Sequence, residues 1–226
     1  MRVMAFNGSP RKKWNTAQLL QSALNGAAEA WKEQGLVPET ELVHLYDLDY
    51  QGCISCFSCK KVGSKGFGRC AVRDGLTPVL ERALESDVIL LGSPVYFHSQ
   101  SSAMRAFLER LLFPLLDYVN EPSTLPPRPL RVASFYTMNV PEERLSLGAF
   151  PAVQESMDNF IRRVFGNARS LCSTDTLQFN DYSKYVTYPT DPEHKRRRNR
   201  EVFPQDLQVA RDMGATLAGE ALADLD

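Results

Sequence analysis

The stretch Val3-Met4-Ala5-Phe6-Asn7-Gly8-Ser9-Pro10-Arg11-Lys12-Lys13-Trp14-Asn15-Thr16 begins as an apolar run and ends as a string of turn and polar residues. Val3 to Phe6 reads as a strand covered on both faces, as at the centre of a parallel sheet. From Thr16, Leu19, Leu20, Ala23, Leu24, Ala27 and Trp31 recur at helical spacing and stop near Gly35. A strand therefore becomes an amphipathic helix across one loop.

The same alternation continues outward. Glu39 to Leu45 reads as a more polar second strand, Leu76 to Ser86 as a helix, and Val88-Ile89-Leu90-Leu91 as a third, fully apolar strand. Ser102 to Leu112 is a helix, Leu130 to Tyr136 a fourth strand, Val153 to Phe165 a helix, and Ala168 to Thr176 a fifth strand. Four prolines between Glu121 and Pro129 mark a loop. This order predicts an α/β flavodoxin-like three-layer sandwich, with a five-stranded parallel sheet in the order 2-1-3-4-5 and helices on both faces. Residues 1–176 form that unit. Residues 177–226 form a C-terminal extension, an aromatic loop plus a helix over Asp206 to Leu222, expected to pack on the same domain or on a dimer partner.

At 226 residues and 43% hydrophobic content the chain can bury a full core. Its 26 basic and 27 acidic residues nearly cancel, so neither nucleic acid nor an anionic membrane is implied as a partner. No stretch approaches the roughly 20 apolar residues of a membrane span, and the apolar N-terminus is too short for a signal peptide. A cytoplasmic protein is expected.

In doubly wound sheets, ligands bind beyond the carboxyl ends of the strands where strand order reverses, which here is the loop after strand one. Gly8 to Thr16 supplies hydroxyls at Ser9 and Thr16, the Asn15 amide, the Arg11 guanidinium and the free N–H groups of a helical first turn. These donors suit a phosphate. Neither G-x-G-x-x-G nor G-x-x-x-x-G-K-[ST] occurs, so a monophosphate is expected. Asn15 or Thr16 is also expected to cap the helix, with Gln18 assisting. Ser93 to Ser99 follows strand three onto the same sheet edge, where Pro94, Tyr96 and Phe97 can wall a flat ring or pack as core.

Gly8-Ser9-Pro10-Arg11-x-x-x-Asn15-Thr16, then Ser93-Pro94-Val95-Tyr96-Phe97, then Met104-Arg105-Ala106-Phe107-Leu108-Glu109-Arg110, resembles the NADPH-dependent FMN reductase family over about residues 1–165. That resemblance implies FMN as cofactor and NAD(P)H as co-substrate. Ser9, Arg11, Asn15 and Thr16 would then contact the phosphate, and Pro94, Val95, Tyr96 and Phe97 would line the isoalloxazine. Thr137, Met138 and Asn139 would close the site from a third loop. The implied activity is an FMN-dependent NAD(P)H oxidoreductase passing electrons to a small acceptor such as a quinone, flavin, nitro or azo compound. The implied assembly is a homodimer or homotetramer.

Cys53, Cys56, Cys59 and Cys70 lie between these blocks and resemble the cysteine segment of the iron-sulfur flavoproteins. Three thiolates at C-x-x-C-x-x-C with a later fourth suit a [4Fe-4S] cluster, whereas zinc more often takes two separated pairs. The ten residues between Cys59 and Cys70 exceed the spacing of the resembled proteins, and this flexible, basic insert either folds back or holds Cys70 away. The other reading is a cluster-free loop with reduced thiols; a cluster would make an electron carrier between protein partners the alternative function. A scaffold kept for binding alone is the third possibility.

Other side chains give weaker signals. Cys172 reads as a buried, inert thiol, and His44 and His194 lack ligand partners at recognisable spacing. His98 stands beside the ring wall, suited either to catalysis or to ordinary hydrogen bonding. In the extension, Phe179, Tyr182, Tyr185 and Tyr188 form an aromatic strip, for packing rather than for covering a neighbour's flavin. The basic run 194–200 reads as a solvated helix face in preference to a site for the extra phosphate of NADPH.

Overall fold

A computed structural model describes residues 1–187 and 191–224. Its elements run β1 (Arg2–Asn7), α1 (Asn15–Glu33), β2 (Glu39–His44), α2 (Thr77–Leu84), β3 (Val88–Tyr96), β4 (Ser99–Gln100), α3 (Ser102–Leu115), β5 (Arg131–Thr137), α4 (Phe150–Phe165), β6 (Arg169–Ser173), α5 (Pro192–Glu201) and α6 (Phe203–Ala223). Five strands pair in parallel in the order β2-β1-β3-β5-β6. This is the expected 2-1-3-4-5 order, renumbered because β3 runs on through Tyr96 and folds back as a hairpin onto β4. Ser93 to Tyr96, which the sequence places after strand three, belongs to that strand.

Alternation along the buried strands divides the core into two layers. Met4, Phe6, Ile89, Leu91 and Val132 face α2, α3 and α4, with Phe6 stacked on Phe107 at 4.5 Å between ring centroids. Val3, Ala5, Val88, Leu90, Ala133 and Phe135 face α1 and α6. The apolar stripe of α1 is the one its spacing predicts. Gly35 ends that helix at φ +74°, with its N–H on Lys32 O and the Leu36 N–H on Trp31 O, a pairing that favours glycine.

Helix α6 of the extension belongs to the second layer. Trp31 Nε1 donates to Ala218 O at 3.0 Å, and a Cβ placed on Gly26 or Gly214 would fall 2.0 Å from a carbonyl oxygen of the facing helix. Two glycines thus let α1 and α6 pack backbone to backbone. The basic run is not simply a solvated face. Lys195 is buried, ion-paired to Asp175 and bonded to Asn139 O, and Arg198 bonds Asp206 at 2.6 Å.

Candidate functional site

The carboxyl ends of β1, β3 and β5 meet at one edge. Gly8 N donates to Gly92 O at 2.7 Å and Gly8 O accepts from Ser101 Oγ at 2.6 Å. A Cβ on Gly8 would lie 2.8 Å from the Met104 Cβ, so the loop backbone rests directly on α3. Ser101 caps α3 by accepting from Met104 N, and its own N–H reaches Ser93 Oγ at 2.9 Å. Its role in joining the three segments was not read from the sequence, where Ser101 signals only a helix start.

Within the loop, Ser9 N donates to Asn7 Oδ1 and Arg11 N to Ser9 Oγ, two side-chain turns that curl the backbone ahead of α1. The expected cap is absent. Trp14 occupies the N-cap position without a side-chain hydrogen bond, and the first turn holds no acidic residue. Asn15 and Thr16 are turned elsewhere, because tertiary partners outcompete the local cap. Asn15 Nδ2 donates to Leu177 O at 2.9 Å, and Thr16 Oγ1 lies 2.7 Å from Thr137 Oγ1. The uncapped N–H groups and positive helix end remain suited to an anion.

Arg11 is held by the extension. Its NH1 donates to Gln178 O, and its guanidinium sits 4.9 Å from the Trp14 ring centre and 5.5 Å from that of Phe179. Phe179 stacks on Tyr185 at 4.1 Å and meets Tyr182 edge-on at 5.3 Å. The aromatic strip therefore serves this loop; Tyr188 lies outside the described residues. A guanidinium has five N–H donors and an amide two, so Arg11 and Asn15 keep donors for a phosphate while bonded to the extension.

Pro94 and Val95 are half-buried where β3 leaves the sheet, and Tyr96 and Phe97 are exposed. Phe97 and His98 form the hairpin tip at φ 49° and 62°, a left-handed pair that costs about 1–2 kcal/mol per non-glycine residue. Phe97 is wholly solvent-facing and so is no core residue. The His98 ring is exposed and packs beside the Gly148 backbone. Thr137 and Met138 are buried at the end of β5, next to Pro94 in the strand register. Asn139 follows with a buried Oδ1 that has no hydrogen-bond partner among the described residues. His194 pairs with Asp175 at 2.6 Å, and Asn7 Nδ2 with His44 Nδ1 at 3.0 Å; neither pairing was legible from spacing.

The ten-residue insert folds back. Gly68 N donates to Cys59 O at 2.9 Å, with Gly63 and Gly68 both near φ +75°, and Cys53, Cys56, Cys59 and Cys70 line one small pocket with Ile54, Phe57 and Phe113. Cys59 is buried and Cys53 and Cys56 are exposed. Burial raises the Cys59 thiol pKa, while the Ser58 N–H lowers that of Cys56. Among the described residues no three of these groups converge tightly enough for a single metal ion. A tetrahedral ion draws its thiolates to within about 4 Å of one another, whereas a cluster separates them by its own width. An all-thiolate set around one pocket suits the second case in donor chemistry. Cys172, read as buried, is half-buried, and its surroundings push its thiol up to about 11.

The two regions share α3. Met104 touches Gly8 and Glu109 accepts from Cys53 N at 3.2 Å, and five helical residues span about 8 Å along the axis. A separate groove of about 720 Å³ opens between α2, α3 and Leu125 to Arg128. It touches the thiol pocket at Cys70 but lies away from the loop Gly8 to Thr16.

A family model for NADPH-dependent FMN reductases matches residues 1–124. Among curated proteins, an iron-sulfur flavoprotein of Methanocaldococcus jannaschii is 37% identical over 110 residues, 49% of this chain and 51% of that protein. An iron-sulfur flavoprotein of Archaeoglobus fulgidus is 34% identical over 110 residues, 49% of this chain and 48% of its own length. The chain thus spans about half the length of the curated relatives it matches. Among solved structures, an NAD(P)H:quinone oxidoreductase from Methanothermobacter marburgensis superimposes with a TM-score of 0.64 at 15% identity, covering 96% of each chain. A putative quinone reductase from Klebsiella pneumoniae gives 0.62 at 14% identity, covering 96% of this chain and 85% of the other. These structural likenesses establish the flavodoxin-like fold.

Proposed function

We propose, from the premise that this chain belongs to the NADPH-dependent FMN reductase family, that it is an FMN-dependent NAD(P)H oxidoreductase delivering electrons to a small acceptor such as a quinone, flavin, nitro or azo compound. The observation that carries this reading is the uncapped first turn of α1, surrounded by Ser9, Arg11 and Asn15. Ser9, Arg11, Asn15 and Thr16 with the α1 N–H groups would hold the FMN phosphate. Pro94, Val95, Tyr96 and Phe97 at the end of β3 and Thr137, Met138 and Asn139 at the end of β5 would face its ring. Bound FMN supplies a hydride acceptor and donor; the chain supplies orientation and electrostatics. No side chain is required as nucleophile. A homodimer or homotetramer is the assembly that belongs to the same reading. No helix among the described residues is long and apolar enough to cross a membrane, and a cytoplasmic location fits the same reading.

A second reading adds a [4Fe-4S] cluster held by Cys53, Cys56, Cys59 and Cys70, and with it electron transfer between protein partners. It is favoured by the insert that returns Cys70 to the pocket of the other three thiols. The absorption spectrum of freshly purified anaerobic protein, followed by NAD(P)H oxidation with an added quinone, separates the readings. Flavin with fast turnover supports the oxidoreductase. Flavin with iron, sulfide and slow turnover supports the carrier, and failure to take up FMN on reconstitution would remove both.

A further inference from the structure

Arg110 is one of the largest fully buried side chains of the protein, and the flavin site does not use it. It projects from α3 into the base of the cysteine segment. NH1 donates to Gln51 O at 3.2 Å, two residues before Cys53, and NH2 donates to Val72 O at 3.1 Å, two residues after Cys70. NH1 also pairs with Asp74, whose carboxylate accepts from Leu76 N at 3.0 Å. The preceding residue, Glu109, accepts from Cys53 N. One turn of α3 therefore holds both ends of the loop that carries the four thiols.

A buried guanidinium with a single carboxylate partner is costly unless its remaining donors and charge are used. Arg110 Nε has no hydrogen-bond partner among the described residues, and Arg110 and Cys70 line the same pocket. A four-iron cluster with four thiolate ligands carries net negative charge, which increases when it accepts an electron.

We infer that Arg110 is the positioning residue of the four-thiol site, tying both ends of the cysteine segment to α3 and setting a buried positive charge against the thiolates of an iron-sulfur cluster. The charge role rests on the cluster reading; the tie does not. Lysine in its place keeps the charge but cannot reach two carbonyls and a carboxylate at once.

The test compares full-length wild type, Arg110→Lys, Arg110→Met and Asp74→Asn, the last loosening the same tie should Arg110→Met fail to fold. After anaerobic reconstitution with ferrous iron and sulfide, iron and sulfide per chain and the cluster's reduction potential are measured. On iron-free protein, iodoacetamide labelling of each cysteine is followed by mass spectrometry. Arg110→Met is expected to lower cluster occupancy severalfold and to shift the potential of the remainder to more negative values. Its iron-free labelling at Cys59 and Cys70 should rise about tenfold, the factor that a local opening easier by about 1.4 kcal/mol gives. Arg110→Lys should recover the potential more fully than the occupancy, and Asp74→Asn should fall between wild type and Arg110→Met in occupancy and labelling. Wild-type occupancy, potential and labelling in Arg110→Met would overturn the proposal. Wild-type protein that takes up no iron would overturn the charge role together with the cluster reading, an outcome distinct from loss of the tie alone.

Discussion

The hydroxyls of Thr16 and Thr137 lie 2.7 Å apart in a buried contact across 121 positions of sequence, joining the first turn of α1 to the end of β5. Each hydroxyl has the other as a partner in this buried position. Thr137→Val preserves shape and leaves the Thr16 hydroxyl without this partner, at a cost of about 1–3 kcal/mol. Thermal unfolding should fall by about 2–4 °C per kcal/mol lost. Thr16→Val should cost similar stability but weaken FMN binding more, because it also removes the phosphate-side hydroxyl; equal FMN affinities in the two variants would contradict that assignment.

Arg11 stands between Trp14 and Phe179 with a carbonyl of the extension on its NH1. Loss of a charge-assisted hydrogen bond to phosphate costs about 1.5–3 kcal/mol, so Arg11→Ala should weaken FMN binding roughly tenfold to a hundredfold. Phe179→Ala removes only the stacking that holds the guanidinium, worth about 0.5–1 kcal/mol, and should weaken it a few-fold. Fluorescence titration with FMN measures both. An unchanged affinity in Arg11→Ala would sink the phosphate assignment.

Two glycines on α6 should respond with opposite signs. A Cβ at Gly214 would lie 2.0 Å from Ala23 O, so Gly214→Ala should force α1 and α6 apart and cost about 1–3 kcal/mol. Gly219 has nothing within 4 Å of the same construction, and Gly219→Ala should stabilise by up to about 1 kcal/mol through helix propensity. Denaturant melts of both variants check the pair.

Asp158 is buried on α4, and burial raises its pKa against the hydrogen bonds from Ser170 and Gln154. A carboxyl with a raised folded pKa contributes stability that is complete below the unfolded value, about 3.9, and is lost as pH rises through the folded value. Asp158→Asn should therefore be more stable than wild type at pH 7, with the advantage shrinking as pH falls toward 4. Unfolding free energies across that range would reveal a constant difference if the reasoning is wrong.

By itself the sequence determined the layers. Apolar runs in β1 and β3, the stripe of α1 and the alternation of elements settle the parallel sheet, because burial of periodic apolar faces allows few other arrangements. It also made the loop Gly8 to Thr16 legible as a candidate anion site, since its donors are contiguous. What it could not determine was where those donors point. Local rules assign Asn15 and Thr16 to a helix cap, yet Leu177 O and Thr137 Oγ1 claim them, and both partners arrive from more than 100 residues away. The extension shows the same limit. Its basic run looks solvated by composition, but Lys195 is buried because Asp175 and Asn139 O come to meet it. The four cysteines were legible as a group of thiols, whereas their gathering around one pocket goes with turns at Gly63 and Gly68 and with Arg110 reaching the carbonyls of Gln51 and Val72. Periodicity and contiguous motifs are local in the chain. Pairing of buried polar groups is not, because its energy depends on which distant segment the fold brings within 3 Å.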